Sequence, residues 1–209
     1  MTLIQFLDHA SVFVFALTGA LVASRAQLDV VGFIFIACLT GVGGGTVRDL
    51  LLGRDPVFWV GQPGFILVAG TAAVLVFFTA HLLESRYRVL LWLDALALGV
   101  AVPAGAWVAL SLGQPWPVVL IMGMLTGCLG GLMRDVVCNE VPLVLKQGEL
   151  YATAAFAGAA AGLIALAVLG DGLLVLLICA GVTFALRAGS LVFGWRLKPY
   201  KGRPPRTRG

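Results

Sequence analysis

Long apolar runs follow one another along this chain, separated only by short polar breaks. A run of about 18 or more apolar residues is long enough to cross the hydrocarbon core of a membrane as a helix. The pattern therefore predicts an all-α, polytopic membrane protein with seven transmembrane helices. The predicted spans are 7–24, 30–52, 62–83, 90–111, 117–138, 150–169 and 172–195.

Composition agrees with this class. Hydrophobic residues make up 60% of the chain and charged residues only 11%, and the mean hydropathy is +1.03. These values exclude an ordinary water-soluble domain. The four cysteines have no metal-binding spacing, and no serine or histidine combines with an acid in a recognisable nucleophile arrangement. We therefore expect no enzyme activity, no cofactor and no bound structural metal.

An internal repeat covers most of the chain. A constant offset of 86 residues aligns, among others, Asp8 with Asp94, Gly44-Gly45 with Gly130-Gly131, Arg48-Asp49 with Arg134-Asp135, and Pro56 with Pro142. Each unit has three spans, an odd number, so the second unit enters the membrane from the opposite side. This predicts a single transmembrane domain over 1–209. It contains two inverted three-helix repeats (about 5–85 and 90–170), a seventh helix (about 172–195) and a basic tail (196–209).

Two glycine-rich segments interrupt the second and fifth spans. They read GVGGGTVRDLLLGRDP at 41–56 and GCLGGLMRDVVCNEVP at 127–142. Consecutive glycines weaken a helix by about 1 kcal/mol each and allow a kink, exposed carbonyl groups or the close approach of another helix. We predict kinked second and fifth helices. Small-residue packing without a kink is the alternative reading.

Each glycine segment ends in a charged pair, Arg48-Asp49 or Arg134-Asp135. A charge at membrane depth costs roughly 2.5–3.5 kcal/mol on insertion scales and is usually functional. Neighbours on one helix point about 100° apart, so we expect no pairing within either dipeptide. The predicted partners are Arg48 with Asp135 and Arg134 with Asp49, or either arginine with Asp8 or Asp94. A purely structural salt-bridge clamp is the alternative to a functional role.

Lysines and arginines give the predicted orientation. With the N-terminus outside, inner loops and the tail collect nearly all the basic residues outside the spans, and the outer loops carry only Arg54. We therefore predict an N-terminus outside and a C-terminus in the cytoplasm. The net charge of +4 reflects this topology signal rather than nucleic-acid binding, with attraction to anionic lipid as a secondary role. Lys146 and Glu149, in an inner loop, either line a vestibule or are solvated.

The segments GGGTVRDLLLGRDP, GGLMRDVVCNEVP and GELYATAAFAG resemble the prokaryotic trimeric intracellular cation (TRIC) channel family. They are equally similar to bacterial glycine-transporter-domain proteins of the same superfamily. The resemblance implies a symmetric homotrimer in a bacterial or archaeal inner membrane. Each protomer would then hold its own pore, bounded by the kinked helices and conducting monovalent cations, chiefly potassium. It implies pore-lining or gating roles for Gly43, Gly44, Gly45, Thr46, Arg48, Asp49, Gly130, Gly131, Arg134 and Asp135, with Asp8, Asp94, Lys146 and Glu149 as supporting charges.

Animal members of that family have a Lys-Glu-Val stretch that helps to bind an inositol lipid, whereas 132–135 here reads Leu-Met-Arg-Asp. Lipid gating by that route is therefore not expected, although bound membrane lipid remains an expected partner. We also expect small-residue faces to mediate trimer contacts; they comprise Gly19, Ala23, Gly105 and Ala109.

Two functions from different classes remain after these arguments, and a scaffold without a permeant is a third reading. The first is a passive channel for K⁺, with Na⁺ as the alternative ion, in which Asp49 and Asp135 attract the cation and the arginines act as gate or clamp. The second is a secondary transporter of glycine or another small zwitterion, in which Arg48 or Arg134 holds the carboxylate.

Overall fold

The computed structural model describes residues 3–83, 85–146, 149–170 and 172–198, with only the backbone described for 3–6. Within these residues the chain is helical apart from its connections and one isolated bridge between Glu149 and Arg196. The helices are α1 (Leu3–Arg25), α2 (Val30–Leu51), α3 (Phe58–Gly61), α4 (Gly64–Thr79), α5 (Arg86–Ser111), α6 (Trp116–Val137), α7 (Ala152–Leu169) and α8 (Leu173–Phe193). Short 3-10 turns lie at Ala80–Leu82 and Leu143–Leu145.

Seven of the described helices are long and apolar enough to cross a membrane, which confirms the predicted all-α, seven-span architecture. Only α3 is too short, and it lies in the connection between the second and third spans. The spans run over Leu7–Arg25, Val30–Leu51, Gly64–Leu82, Arg86–Ser111, Trp116–Val137, Ala152–Leu169 and Leu173–Phe193. The predicted break at Asp171, the break that includes Glu84 and most of the basic tail involve residues outside the described part of the chain.

Backbone conformation repeats with the same offset as the sequence. Gln27 and Gly113, which follow α1 and α5, both have left-handed backbone, with φ of 54° and 68°. Gly53 and Asn139, which follow α2 and α6, do the same, with φ of 67° and 54°. Glycine and asparagine tolerate this region better than most residues. Corresponding helices of the two repeats therefore end in the same local turn.

Helix packing follows the repeat as well. Helix α1 packs on α2 and α4, and its counterpart α5 packs on α6 and α7. The pairs α1 with α5 and α2 with α6 join the two repeats at the centre of the molecule. Helix α8 has no counterpart and, within the described part of the chain, packs mainly against α5 and α7 of the second repeat.

The tightest helix contact is the crossing of α2 and α6. A methyl group built on Gly44 would lie 2.4 Å from the carbonyl oxygen of Thr126, and one built on Gly130 would lie 2.4 Å from that of Thr40. The two contacts are reciprocal, as a two-fold relation between the repeats requires. Both helices run without interruption through their glycines. Close approach, one of the expected uses of these glycines, is therefore what they provide here, while a bend at them stays a prediction.

The small-residue faces expected to mediate trimer contacts are occupied inside the protomer, so that expectation is wrong. A methyl group on Gly19 would lie 2.6 Å from Oγ1 of Thr40, and one on Gly105 would lie 2.3 Å from Oγ1 of Thr126. Ala23 and Ala109 are fully buried within the chain. These residues let α1 approach α2 and α5 approach α6, and they are not available to a second copy.

Candidate functional site

Two clusters of charged residues lie at equivalent positions in the two repeats. In the first cluster, Arg48 donates from Nε to Oδ1 of Asp49 at 2.8 Å and from Nη1 to Oδ1 of Asp8 at 3.5 Å. The second carboxylate oxygen of Asp49 accepts a hydrogen bond from the backbone N–H of Phe58 at 2.9 Å. Arg54 donates from Nη1 to Oδ1 of Asp49 at 3.1 Å. The cluster thus ties the end of α2 to α1 and to the loop that follows α2.

The second cluster repeats this geometry. Arg134 donates from Nε to Oδ1 of Asp135 at 2.7 Å and from Nη1 to Oδ1 of Asp94 at 3.1 Å. Asp135 in turn accepts from the backbone N–H of Leu143 through Oδ2 at 2.9 Å. Arg134 has a further partner with no equivalent in the first repeat, Oγ1 of Thr18, at 2.8 Å. The second cluster therefore also binds α1 of the opposite repeat.

The pairing predicted from the sequence is wrong in two respects and right in one. Arginine and aspartate within each dipeptide do pair, because the long guanidinium stem folds back along the helix and brings Nε to the neighbouring carboxylate. Neither arginine pairs with the aspartate of the other dipeptide among the described ion pairs. The alternative prediction, pairing with the aspartates of α1 and α5, is correct, with each arginine taking the aspartate of its own repeat.

Burial makes these pairs energetically important. Arg48 and Arg134 have about 1% and 0% of their surface exposed, and Asp49 has 0%. A charge removed from water costs several kcal/mol unless it is paired and hydrogen-bonded. Asp49 and Asp135 use both carboxylate oxygens on arginine and backbone partners. Their first role is thus to join helix and loop.

Two adjoining cavities lead to the first cluster. The larger, about 250 Å³, is lined by Asp8, Arg54, Pro56, Phe58, Gly61, Gln62 and Phe65. The smaller, about 10 Å³, is lined by Asp8, Ser11, Val12, Phe15, Thr40, Gly41, Gly44, Gly45, Arg48, Phe58 and Thr126. Asp8 and Phe58 line both. We call the larger cavity the vestibule and the smaller one the inner cavity. Together they extend from one end of the helix bundle to the crossing of α2 and α6.

The second cluster is sealed where the first is open. The side chain of Asp94 is 0% exposed, whereas that of its equivalent Asp8 is 14% exposed. Tyr151 stands at the position equivalent to Phe65, and both rings are buried. A methyl group on Gly131 would lie 3.3 Å from Oη of Tyr151 and 3.5 Å from both Nη2 of Arg134 and Oδ1 of Asp94. Burial, together with the nearby Asp94 carboxylate, raises the pKa of Tyr151 well above its ordinary value, so its hydroxyl stays protonated. The two clusters therefore differ in access, although the ion pairs of Arg48 with Asp49 and Asp8 recur as those of Arg134 with Asp135 and Asp94.

Three further predicted residues contact side chains close to the clusters. Gly43 faces the sulfur of Met133, and Gly45 faces the ring of Phe58. The hydroxyl of Thr46 donates to the carbonyl of Val42 and accepts from Nε1 of Trp59 at 2.9 Å, so it fixes the loop after α2.

The remaining two predicted residues, Lys146 and Glu149, lie in the connection before α7 and contact side chains of α5 and α8. Lys146 is hydrogen-bonded to the hydroxyl of Tyr87, and Glu149 pairs with Arg187 at 2.8 Å. Both lie on the second cluster's side of the molecule.

Several residues at the site have no strong signal in the sequence. Phe65 and Tyr151 are aromatic residues near span ends, where they resemble interface residues, yet Phe65 lines the vestibule and Tyr151 is buried against the second cluster. Thr18 is an ordinary small polar residue in an apolar helix, and only its contact with Arg134 gives it a role. Arg187 did carry a signal, a lone charge inside an apolar span.

Comparison with known proteins identifies close relatives. A family model described as glycine transporter matches residues 5–81 and 91–170. The inner membrane protein YadS of Escherichia coli K12 is 37% identical over 160 residues, which cover 75% of this chain and 75% of that protein. A membrane protein of Vibrio cholerae is 37% identical over 161 residues, covering 75% of this chain and 66% of the relative.

Solved structures show the same fold. A crystal structure of a TRIC trimeric intracellular cation channel orthologue from Rhodobacter sphaeroides has a TM-score of 0.88 and 45% identity, covering 93% of this chain and all of the other. A prokaryotic TRIC channel crystallised in 0.5 M KCl has a TM-score of 0.85 and 26% identity, covering 91% of this chain and 96% of the other.

Proposed function

The chain belongs to the glycine transporter family, and we propose that this integral membrane protein is a channel for monovalent cations. Potassium is the proposed main ion, with sodium as the alternative. In this proposal each protomer holds one pore, which includes the vestibule and the inner cavity. The 45% identity to a TRIC channel orthologue over nearly the full chain supports this assignment.

The observation that carries the proposal is the position of Asp8. It lines both cavities, its side chain is 14% exposed, and its contact with Arg48 is the longest ion pair of the two clusters, at 3.5 Å. Threonines line the inner cavity beyond it. Carboxylate and hydroxyl oxygens along a narrow path attract and replace the hydration of a cation. In this proposal Asp8, rather than Asp49 or Asp135, supplies the attracting charge.

The gate in this proposal is the crossing of α2 and α6. The inner cavity ends at Gly44 and Thr126, where the two helices touch through their backbones. An ion passes only when these helices separate or bend. The glycines permit both movements, because they carry no side chain that would block the widened path.

A second candidate function, transport of a small zwitterion, also has one specific observation in its favour. Nη2 of Arg48 has no hydrogen-bond partner among the described residues, and Arg48 lines the inner cavity beside Asp8. A carboxylate could bind this arginine and an ammonium group could bind this aspartate. The inner cavity, at about 10 Å³, holds about one water molecule and is too small for glycine. Transport would therefore require a substantially wider state.

We also propose that the protein is a homotrimer in the inner membrane, with its N-terminus outside and its C-terminus in the cytoplasm. The trimeric channels of the same fold and the inner membrane protein among its relatives support this. In this orientation the vestibule faces outward.

The particle mass in mild detergent, measured by light scattering, should equal three protomers. A monodisperse monomer or dimer in several detergents would contradict the trimer.

The proposal predicts that Asp8→Asn lowers the unitary cation conductance by at least about twofold, because a charged cleft concentrates counter-ions roughly tenfold or more. Single-channel recording in planar bilayers measures this directly. Asp29→Asn is the matched control, since Asp29 is exposed and caps α2 away from both cavities. Asparagine also caps helices well. Equal conductance in wild type and Asp8→Asn would remove Asp8 from the ion path.

A further inference from the structure

Helix α8 stands outside the repeat and carries a fully buried arginine, Arg187. This guanidinium donates from Nη1 to Oε2 of Glu149 at 2.8 Å and lies 5.0 Å from the ring centre of Tyr151. Its Nε and Nη2 have no hydrogen-bond partner among the described residues. One carboxylate and one aromatic face are thus its described partners.

The same end of α8 holds residues 149–151, which we call the strap. The backbone N–H of Leu150 donates to Oγ of Ser190 at 3.1 Å. The Ser190 hydroxyl donates in turn to the carbonyl of Trp195 at 3.0 Å. Glu149 pairs through its backbone with Arg196. Each residue of the strap therefore contacts α8 or the chain that follows it.

The strap ends in Tyr151, the residue that seals the second cluster. The equivalent residues of the first repeat are Pro63, Gly64 and Phe65, and α8 packs instead on α5 and α7 among the described helix contacts. A methyl group on Gly64 would meet nothing within 4 Å, and the vestibule opens beside Phe65. At these positions the open and sealed ends of the molecule thus differ by the contacts of α8 and by the hydroxyl group of Tyr151.

We propose that α8 holds the second cluster's end of the pore closed by keeping Tyr151 in place, and we call this arrangement the lock. The Arg187–Glu149 ion pair, which we call the fastening, keeps α8 against residues 149–151. The inference rests on the proposed channel function and names its regulation. Opening this end requires Tyr151 to leave Asp94 and Arg134, and the strap prevents this while α8 is in place. The Glu149 side chain is 26% exposed, so solvent contacts this ion pair.

The physical basis of release is the cost of an unpaired buried charge. Without the Glu149 carboxylate, Arg187 would be a fully buried guanidinium with no counter-ion. Such a charge is strongly unfavourable, and the side chain moves toward water instead. That movement takes α8 away from the strap and from the ring of Tyr151. Arg187 and Glu149 are positioning residues in this mechanism and do not touch the ion.

The test compares two carboxylates on the same side of the molecule. Glu149→Gln removes the fastening, and Glu140→Gln removes a matched surface pair, in which Arg25 and Glu140 lie 3.3 Å apart with about 30% of each side chain exposed. Potassium flux into proteoliposomes should rise about fivefold or more in Glu149→Gln, the scale of an ordinary coupling between sites. In Glu140→Gln it should stay within about twofold of wild type.

A second readout is independent of ion flux. Cys128 is buried in the same side-chain cluster as Tyr151. In a chain that keeps Cys128 as its single cysteine, alkylation by a water-soluble maleimide should be slow, and Glu149→Gln should accelerate it about fivefold or more. If Glu149→Gln does not accumulate in the membrane, Ser190→Ala replaces it and should change both readouts in the same direction, by a smaller factor.

The outcomes separate the lock from the channel. Equal flux and equal alkylation in Glu149→Gln and Glu140→Gln would overturn the lock while leaving the channel intact. Absence of potassium flux in every variant, with faster alkylation in Glu149→Gln alone, would overturn the channel and keep the lock. Faster flux together with faster alkylation in Glu149→Gln alone supports both.

Discussion

Substitution of leucine for Gly44 is expected to abolish cation conduction while the protein still inserts into the membrane. A single methyl group at this position would already lie 2.4 Å from the carbonyl oxygen of Thr126, about 1 Å inside ordinary contact. The obstacle is backbone, which cannot rotate away as a side chain can. A leucine must therefore push α2 and α6 apart and fill the widened crossing. Overpacking of this kind costs about 1–3 kcal/mol or more.

The matched control is Gly181→Leu. Gly181 lies within α8, another membrane-spanning helix, and a methyl group there would meet nothing within 4 Å. Leucine favours helix by about 1 kcal/mol over glycine at such a site. Gly44→Leu should show no unitary currents and a lower melting temperature in detergent. Gly181→Leu should keep both the currents and the melting temperature of the wild type. Wild-type currents in Gly44→Leu would show that the crossing is not the gate.

The largest expected loss of stability follows Arg134→Ala. This arginine is fully buried, and the substitution leaves the carboxylates of Asp94 and Asp135 inside the bundle without their cation. Loss of one partner of a buried pair costs about 3–5 kcal/mol. The loss of stability is measured by heating the protein in detergent and recording the folded fraction that remains at each temperature. In molecules that stay folded, potassium flux should persist or rise, because a positive charge has left the path.

Two comparisons separate burial from charge in that experiment. Arg54→Ala removes an arginine whose side chain is 35% exposed and whose partner Asp49 retains Arg48. It should cost less than about 1 kcal/mol. The double variant Arg134→Ala with Asp94→Asn should be more stable than the sum of the two single variants predicts. Strict additivity would show that Arg134 and Asp94 do not stabilise each other. An equal loss in Arg54→Ala would show that burial does not increase the contribution of the arginine.

The sequence was sufficient to predict the architecture, because the apolar runs are long and the repeat keeps one register. The charged dipeptides stand at the same offset in both units, so their equivalence was predictable before their contacts were known. The contacts were not predictable from spacing alone. Whether Nε of Arg48 turns toward Asp49 depends on the bend of a long side chain, and helical angles between Cβ atoms do not determine it.

The different solvent access of the two charged clusters could not be predicted from the sequence either. Phe65 and Tyr151 align in the repeat and differ by one hydroxyl group, which suggests similar surroundings. Both rings are buried, and the difference in access lies in the neighbouring aspartates, since the side chain of Asp8 is 14% exposed and that of Asp94 is 0% exposed. Among the described helix contacts α8, which has no equivalent in the repeat, packs on α5 and α7 of the second unit. Such an effect depends on which helices meet in three dimensions. The resemblance to a known family implied pore-lining roles for Asp49 and Asp135 and a supporting charge at Asp8, whereas Asp8 is the carboxylate that lines both cavities.

The central claim is tested most directly by paired uptake into proteoliposomes that contain the wild-type protein. One sample measures potassium flux under an imposed potassium gradient, and the other measures labelled glycine under matched conditions. A passive cation channel predicts potassium flux well above that of empty liposomes and no accumulation of glycine. Accumulation of glycine without potassium flux would contradict the channel and favour the transporter.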